Sequence, residues 1–321
     1  MRILAVLAIV AALGWSGYWV VGSRALDRAI TMALETAPEV STAEHSIRGF
    51  PSRFDVTFDQ PRIAAAGVEW SAPFVQLFAL SYRLNHLIAV FANDQRFTVQ
   101  GQEATLYSAD LRASLVAEAG FDLPVDRVAL VGEQLELSLA GQTHRIDGLR
   151  AASRRVTERQ HDLSLVLEGV FPDLGVMERR DPQALWPRFF DILRIDATAE
   201  FDRPIDRRLI DGPNPRLNRL TLTGGRAAWP DTDIVASGAL TPGSDGLLSG
   251  ELRVSVTGWR ALMQAARDAG LMPPEHDALI AIAMQGLVSA EDPNRIEAAF
   301  AVRDGVVTLG PILVGRIPAL F

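Results

Sequence analysis

The chain has 321 residues, 48% of them hydrophobic and 22% charged, with a net charge of −8. That length suits one large domain or two ordinary ones, and the acidic balance excludes non-specific nucleic-acid binding, which needs a basic surface to neutralise phosphates. There is no cysteine, so disulfides, thiolate metal ligands and cysteine nucleophiles are excluded.

Ile3 to Val21 carries no charge. It has about the ~20 residues that a bilayer-crossing helix needs. Arg2 precedes it, Arg24 follows it, and Trp15, Tyr18 and Trp19 lie towards its outer end, where amphipathic rings favour the interface. A cleaved signal peptide is the rival reading. It would have a shorter apolar core and a small-residue cleavage site, whereas here the run continues through Val20-Val21 into Gly22-Ser23-Arg24. An uncleaved anchor with its short tail in the cytoplasm is therefore favoured, with the body outside; in a bacterium this means the inner membrane and the periplasm. Ala25, Leu26, Ala29, Ile30, Ala33, Leu34 and Ala37 recur at helical spacing, which predicts an amphipathic continuation that stops before Pro38. A cap on the β body suits this stripe better than a membrane-surface helix, because the polar face lacks a basic cluster.

Ile47 to Phe91 organises the rest. Phe54, Val56 and Phe58 share one parity, and Arg53, Asp55, Thr57 and Asp59 the other. Successive strand side chains point to opposite faces, so this is a strand with one apolar and one polar face. Phe74–Tyr82 and Leu87–Phe91 are further apolar runs, and Asn85-His86 reads as a tight turn between them. Strands follow at Arg96–Gln100, Glu103–Tyr107, Leu111–Glu118, Val125–Val131 and Gln134–Leu139, with Gly132 and Gly141 as punctuation. Leu163, Leu165 and Leu167 alternate with polar neighbours. Strands every ~10 residues with turn signals between them indicate an antiparallel meander without a βαβ rhythm. The basic run Arg150–Arg159 reads as a solvated face; contact with anionic lipid is the sharper alternative.

Asp181-Pro182 has helix-start chemistry, and a short helix is expected over Gln183–Leu193 with Leu185, Trp186, Phe189, Phe190 and Leu193 inward. Arg203–Pro215 reads as a long loop. Strands are expected at Leu217–Leu222, Arg226–Trp229, Ile234–Leu240 and Leu247–Thr257. Helices are expected at Trp259–Ala269 and His276–Ala290, then a hairpin around Asp304-Gly305. The nearly uncharged tail from Ile312 must be buried or become an aggregation hazard.

The fold class expected is α+β and β-dominated: an N-terminal transmembrane helix, then extended curved antiparallel sheet with a few covering helices. The divisions are 1–23 anchor, 24–45 amphipathic helix and linker, and 46–321 β-rich domain with a weak internal boundary at 203–215. No chemistry motif emerges. No histidine pair has helical zinc-protease spacing, there is no nucleophile elbow, and Gly224-Gly225 leads into another strand, not into a helix. The carboxylate pairs Asp55/Asp59 and Asp231/Asp233 have spacing that any polar strand face shows. An enzyme, a metal and a cofactor are therefore not expected. The candidate lining for a hydrophobic ligand is Phe54, Phe58, Phe74, Leu77, Phe78, Leu80 and Phe91, and ordinary core is the bland reading of each.

Gly49-Phe50-Pro51-Ser52-Arg53-Phe54-Asp55, Trp70-Ser71-Ala72-Pro73, Leu80-Ser81-Tyr82-Arg83, and Asp304-Gly305-Val306 through Leu309-Gly310-Pro311 resemble an uncharacterised alphaproteobacterial family, domain of unknown function 2125. The resemblance brings no activity and no site residues. A looser architectural likeness is to AsmA-like envelope proteins, which implies lipid handling between membranes. The expected partners are the membrane, a lipid and envelope proteins. The rival to lipid binding is an assembly role in which an exposed sheet edge pairs with another protein.

Overall fold

The computed structural model describes residues 1–65, 67–99, 101–172, 189–268 and 284–320. They form two compact units, Met1–Gly141 and Gln142–Phe321.

The first unit opens with one continuous helix, α1 (Arg2–Thr36). Its strands are β1 (Val40–Ser41), β2 (Glu44–Arg48), β3 (Arg53–Asp59), β4 (Arg62–Ala65), β5 (Val68–Ser71), β6 (Phe74–Leu80), β7 (Arg83–Phe91), β8 (Asp94–Val99), β9 (Gln102–Tyr107), β10 (Asp110–Ala117) and β11 (Val125–Leu139). All pair antiparallel, in two ladders that share the long β11. One runs β2-β3-β6-β7-β10-β11, and the other runs β1-β4-β5-β8-β9-β11.

The two ladders meet along one row. The chain is interrupted at Gln60-Pro61, Ala72-Pro73, Ala92-Asn93 and Ser108-Ala109, and Gln134 takes a φ of 49° within β11. Bonds along the row keep these interruptions satisfied: Gln60 N–H donates to the Pro73 carbonyl at 2.9 Å, and Ser108 N–H donates to that of Asn93 at 2.9 Å. The Asn93 amide donates to the Ser108 and Ala109 carbonyls at 2.8 and 3.1 Å. Ala72, Ala92 and Ser108 are buried here. Such interruptions bend a sheet and re-aim its strands. Trp70, from the second ladder, meets the Phe91 ring edge-on at 6.3 Å and donates to Gln95 Oε1 at 3.0 Å.

The turn expected at Asn85-His86 lies instead at Ser81-Tyr82, and both residues belong to β7. Asn85 serves there as a donor to the Ala117 carbonyl at 2.7 Å, and His86 faces Val116 across the ladder. Gly132 does not split β11 either, because the chain stays extended through it.

The second unit is a meander in which each strand pairs with the next: β12 (Gln142–Thr157), β13 (Gln160–Phe171), β14 (Phe190–Phe201), β15 (Leu217–Trp229), β16 (Thr232–Pro242), β17 (Leu248–Thr257), β18 (Arg295–Arg303), β19 (Val306–Leu309) and β20 (Ile312–Arg316). Among the described residues two short helices interrupt it, α2 (Arg208–Asp211) and α3 (Trp259–Asp268). Gly258, at φ 77°, makes the turn into α3; a Cβ there would lie 1.9 Å from the Asp231 carbonyl. Asp304 and Gly305, at φ 49° and 74°, form the expected two-residue hairpin between β18 and β19. Leu240, Leu248 and Val302 are buried together, with Leu252, Val307 and Ile317 packed against them.

The helix expected over Gln183–Leu193 is corrected at its end: Phe190 and Leu193 lie in β14, opposite Val170 and Leu167. The Ile192/Leu193/Ile195 cluster is strand-forming once β13 offers it a partner. Residues 183–188 lie outside the described residues, as does most of the predicted helix 276–290. That helix does not reach Ala290, since Val288 bridges to Ile296. Gly224-Gly225 sits within β15 as a bulge, where the register to β16 shifts. The 203–215 segment joins β14 to β15, which pair with each other.

Candidate functional site: the apolar sheet faces

Directly paired residues share a face, so the registers show what each face presents. In the first unit, Phe54 pairs with Ala79, Val56 with Leu77, and Phe58 with Val75. Ala79, Leu77 and Val75 then pair with Leu87, Ala89 and Phe91. Leu115 and Ala113 continue the face onto Val128 and Leu130. Four of the proposed lining residues, Phe54, Phe58, Leu77 and Phe91, therefore share this face. Phe74, Phe78 and Leu80 lie on the opposite one, where Phe74 and Phe78 pair with Asp59 and Asp55. The seven do not form a single lining. In β6 apolar residues occupy both parities, and the parity of β3 alone does not assign them.

Helix α1 covers part of the first face. Its half-buried stripe is Trp19, Gly22, Ser23, Leu26, Ile30 and Leu34. The Trp19 ring stacks on Phe54 at 5.8 Å, and Gly22 leaves room for that ring, since a Cβ would come to 3.0 Å of its tip. Asp27 accepts from or pairs with His45 Nε2 at 2.9 Å. Three rings of the helix donate to carbonyls at the end of the sheet: Trp15 Nε1 to Pro51 at 2.8 Å and Tyr18 Oη to Ser81 at 2.6 Å in turns, and Trp19 Nε1 to Arg53, the first residue of β3, at 2.7 Å.

The second unit has a broader apolar face. One row reads Leu149, Leu167, Leu193, Ala227, Ile234, Val256, Ile296, and the next reads Ala151, Leu165, Ile195, Gly225, Ala236, Val254, Ala298. These rows cross seven strands. That is about 29 Å at the usual strand spacing. Ile195, on the third of these strands, is 50% exposed. Leu163, Leu165 and Leu167 announced this face in the sequence, but its extent depends on a succession of pairings that runs from Leu149 to Ala298.

The reverse side of these strands holds the charges. Arg150 pairs with Glu168 at 2.9 Å, Arg154 with Asp162 at 3.1 Å, Arg226 with Asp233 at 3.0 Å, and Arg295 with Glu297 at 2.9 Å. The Arg150–Arg159 run thus lies along β12 and the turn after it, with Arg150 and Arg154 matched by β13 carboxylates. Asp196 accepts from Arg194 at 2.5 Å and from the Ser164 hydroxyl at 2.8 Å, and these bonds hold its pKa below the usual value. Bonding to Asp233 raises the pKa of Arg226 further. Of the carboxylates singled out in the sequence, Asp55 binds Arg53 at 2.9 Å and Asp233 binds Arg226. Among the described residues no three histidines or carboxylates gather as metal ligands would. What the arrangement can do chemically is offer a wide apolar surface, bounded on its reverse by paired ions.

No curated protein matches the chain. Residues 19–318, from the ring that stacks on Phe54 to the tail beyond β20, match the profile of a family described as uncharacterised and conserved in bacteria, domain of unknown function 2125 (DUF2125), and the chain belongs to that family.

Proposed function

We infer that this is a non-enzymatic, membrane-anchored protein that binds or guides a lipid-like molecule on its apolar sheet faces. The observation that carries the reading is the uninterrupted apolar face of β12 to β18, half-exposed at Ile195. Apolar surface of this extent is stabilised when it leaves water, by about 25 cal/mol per Å². An acyl chain laid across the strands satisfies it without any polar match. The anchor is α1, an apolar helix long enough to cross a bilayer. Bonding of Trp15, Tyr18 and Trp19 to sheet carbonyls supports its retention, since cleavage would strip these donors from the body. The body then stands in the periplasm, held at the bacterial inner membrane, and serves envelope maintenance.

Native mass spectrometry of the full chain released from detergent, followed by solvent extraction, tests this. The expected result is a co-purifying phospholipid or fatty acid that is largely lost in Ile195→Arg, a change at a half-exposed position that the fold accommodates. A clean apo mass for the wild type overturns the lipid reading. One observation favours the second reading, an assembly partner. Among the described residues β20 pairs only with β19, and its Leu313 and Val314 are exposed, which suits addition of a partner strand.

A further inference from the structure

We propose that one end of the first unit's sheet is itself a membrane-contacting surface, seated in the bilayer interface beside α1. This rests on the reading of α1 as a membrane anchor. The end in question carries three turns of the β2-β3-β6-β7-β10-β11 ladder: Gly49–Ser52, Ser81-Tyr82 and Glu118–Pro124. The registers place them together, since Arg48 faces Asp55, Leu80 faces Arg83, Val116 faces His86 and Ala117 faces Val125.

Each turn presents an aromatic ring to solvent. Phe50 and Tyr82 are exposed, and Phe121 is 93% exposed; Leu84 and Leu123 are exposed beside them. At the far end of the strands, the described residues at the β4–β5 and β8–β9 connections, Ala65, Gly67, Val99 and Gly101, include no aromatic. A soluble domain gains nothing from exposing three rings on one edge, whereas aromatic rings are enriched where a protein meets the bilayer interface.

The geometry of α1 sets the depth. At 1.5 Å per residue, Trp15 lies about 18 Å along the helix from Ile3 and Trp19 about 24 Å, while a hydrocarbon core is about 30 Å thick. The helix has therefore not left the bilayer when it reaches these rings. Pro51, Ser81 and Arg53 accept hydrogen bonds from Trp15, Tyr18 and Trp19, so the first two turns are fixed at the depth of the aromatic belt. Phe50 lies edge-on to Trp19 at 5.5 Å and extends that belt from helix to sheet. Phe121 sits farther along the same edge, about 19 Å from the Phe50 turn at the usual strand spacing.

Charge plays little part. Within three residues of these turns lie Arg48, Arg53, Arg83 and Arg127 against Asp55, Glu118, Asp122 and Asp126, which cancel. Arg53 pairs with Asp55 at 2.9 Å and Arg127 with Asp126 at 3.3 Å. The contact is apolar and aromatic, and its occupant is the interfacial layer of whichever lipids surround α1, zwitterionic ones included.

The absence of cysteine makes the test direct. Phe50→Cys, Tyr82→Cys and Phe121→Cys, with Val99→Cys as the far-end control, are labelled with an environment-sensitive nitrobenzoxadiazole probe. The full-length proteins are reconstituted into phosphatidylcholine vesicles, with and without phosphatidylglycerol, that contain lipids spin-labelled shallowly on the acyl chain. The expected result is a blue-shifted emission and loss of most fluorescence at positions 50, 82 and 121, little change at 99, and the same pattern in both lipids. Probes at 50 and 82 that are as unquenched as at 99, in protein that resists carbonate extraction, overturn the proposal while leaving the anchor intact. Quenching that appears only with phosphatidylglycerol replaces the apolar contact by an electrostatic one and also overturns it. Release of the chain by carbonate overturns the anchor reading, and the proposal falls with it.

Discussion

Phe54→Ala removes the ring on which α1 and the sheet meet, and its cost follows from what the ring touches. Phe54 is 4% exposed, pairs with Ala79 across β3 and β6, stacks on Trp19 at 5.8 Å with the planes 18° apart, and fills the space left by Gly22. Truncating a buried phenylalanine to alanine costs about 3–5 kcal/mol when the site cannot collapse. Two features hold this site open. The β3–β6 ladder fixes one wall, and the Trp19 bond to the Arg53 carbonyl at 2.7 Å fixes the other. The ring pair adds about 0.5–1.5 kcal/mol beyond its buried area. A loss of about 4 kcal/mol is a large share of the 5–15 kcal/mol that stabilises a typical domain. Chemical denaturation of the detergent-solubilised full chain, read by tryptophan fluorescence, measures it. Phe54→Leu, which keeps most of the volume, should cost under about 2 kcal/mol. A double-mutant cycle with Trp19→Ala should give a coupling near 1 kcal/mol. If Phe54→Ala costs no more than Phe54→Leu and the cycle is additive, the helix does not dock on this ring and the reasoning fails.

Ala92 is 2% exposed on the row where the two ladders of the first unit meet, so Ala92→Val should cost about 1–3 kcal/mol by overpacking, seen as a lower denaturation midpoint at unchanged slope. Asp206 is buried and bound bidentately by Arg208, whose guanidinium and backbone N–H hold its pKa below the ordinary value. A depressed folded-state pKa contributes stability that is present above the unfolded value, about 3.9, and is lost as pH falls through the folded one. Asp206→Asn should therefore cost about 1–2 kcal/mol at pH 7 and progressively less as the pH is lowered beneath about 4, measured by thermal melts across that range.

Strand parity within a short stretch was legible, and parity between stretches was not. The alternation of Phe54, Val56 and Phe58 against charged neighbours located β3 and its inward face, and Asp304-Gly305 located a hairpin to the residue. Phe74, Phe78 and Leu80 read as partners of Phe54 because all are apolar; only the pairing of Phe74 with Asp59 and of Phe78 with Asp55 reveals that they point the other way. The Asn85-His86 turn failed for a related reason. Asparagine suits turns, but it also donates well across a ladder, and the Ala117 carbonyl decides which role it takes. The kink row was present in the sequence as Ser71-Ala72-Pro73, Ala92-Asn93-Asp94 and Ser108-Ala109-Asp110, which look like separate loops until the ladder sets them side by side. The apolar helix and the aromatic residues towards its end were legible; that Pro51, Ser81 and Arg53 accept hydrogen bonds from those rings was not, since the contacts span 34 to 63 residues.

The two sides of the second unit's meander explain why it needs something against it. On one side the polar parity is consumed internally: Arg150 by Glu168, Arg154 by Asp162, and Arg226 by Asp233. Cross-strand pairs of this kind contribute only a few tenths of a kcal/mol each when exposed, so they order the face more than they stabilise it. On the other side Leu165, Ile195 and Val254 lie in one apolar row, and such a face stabilises a fold only when it is covered. Ile195 is the residue at which the two kinds of cover separate. A face covered by protein excludes solvent from its centre, whereas a face that exchanges a mobile acyl chain leaves its centre reachable. On the lipid reading proposed above, the half-exposure of Ile195 belongs to the second case, and Ile195→Arg places a charge where that chain would lie. Loss of bound lipid with an unchanged denaturation midpoint would assign the row to ligand; a collapsed midpoint with lipid still bound would assign it to core.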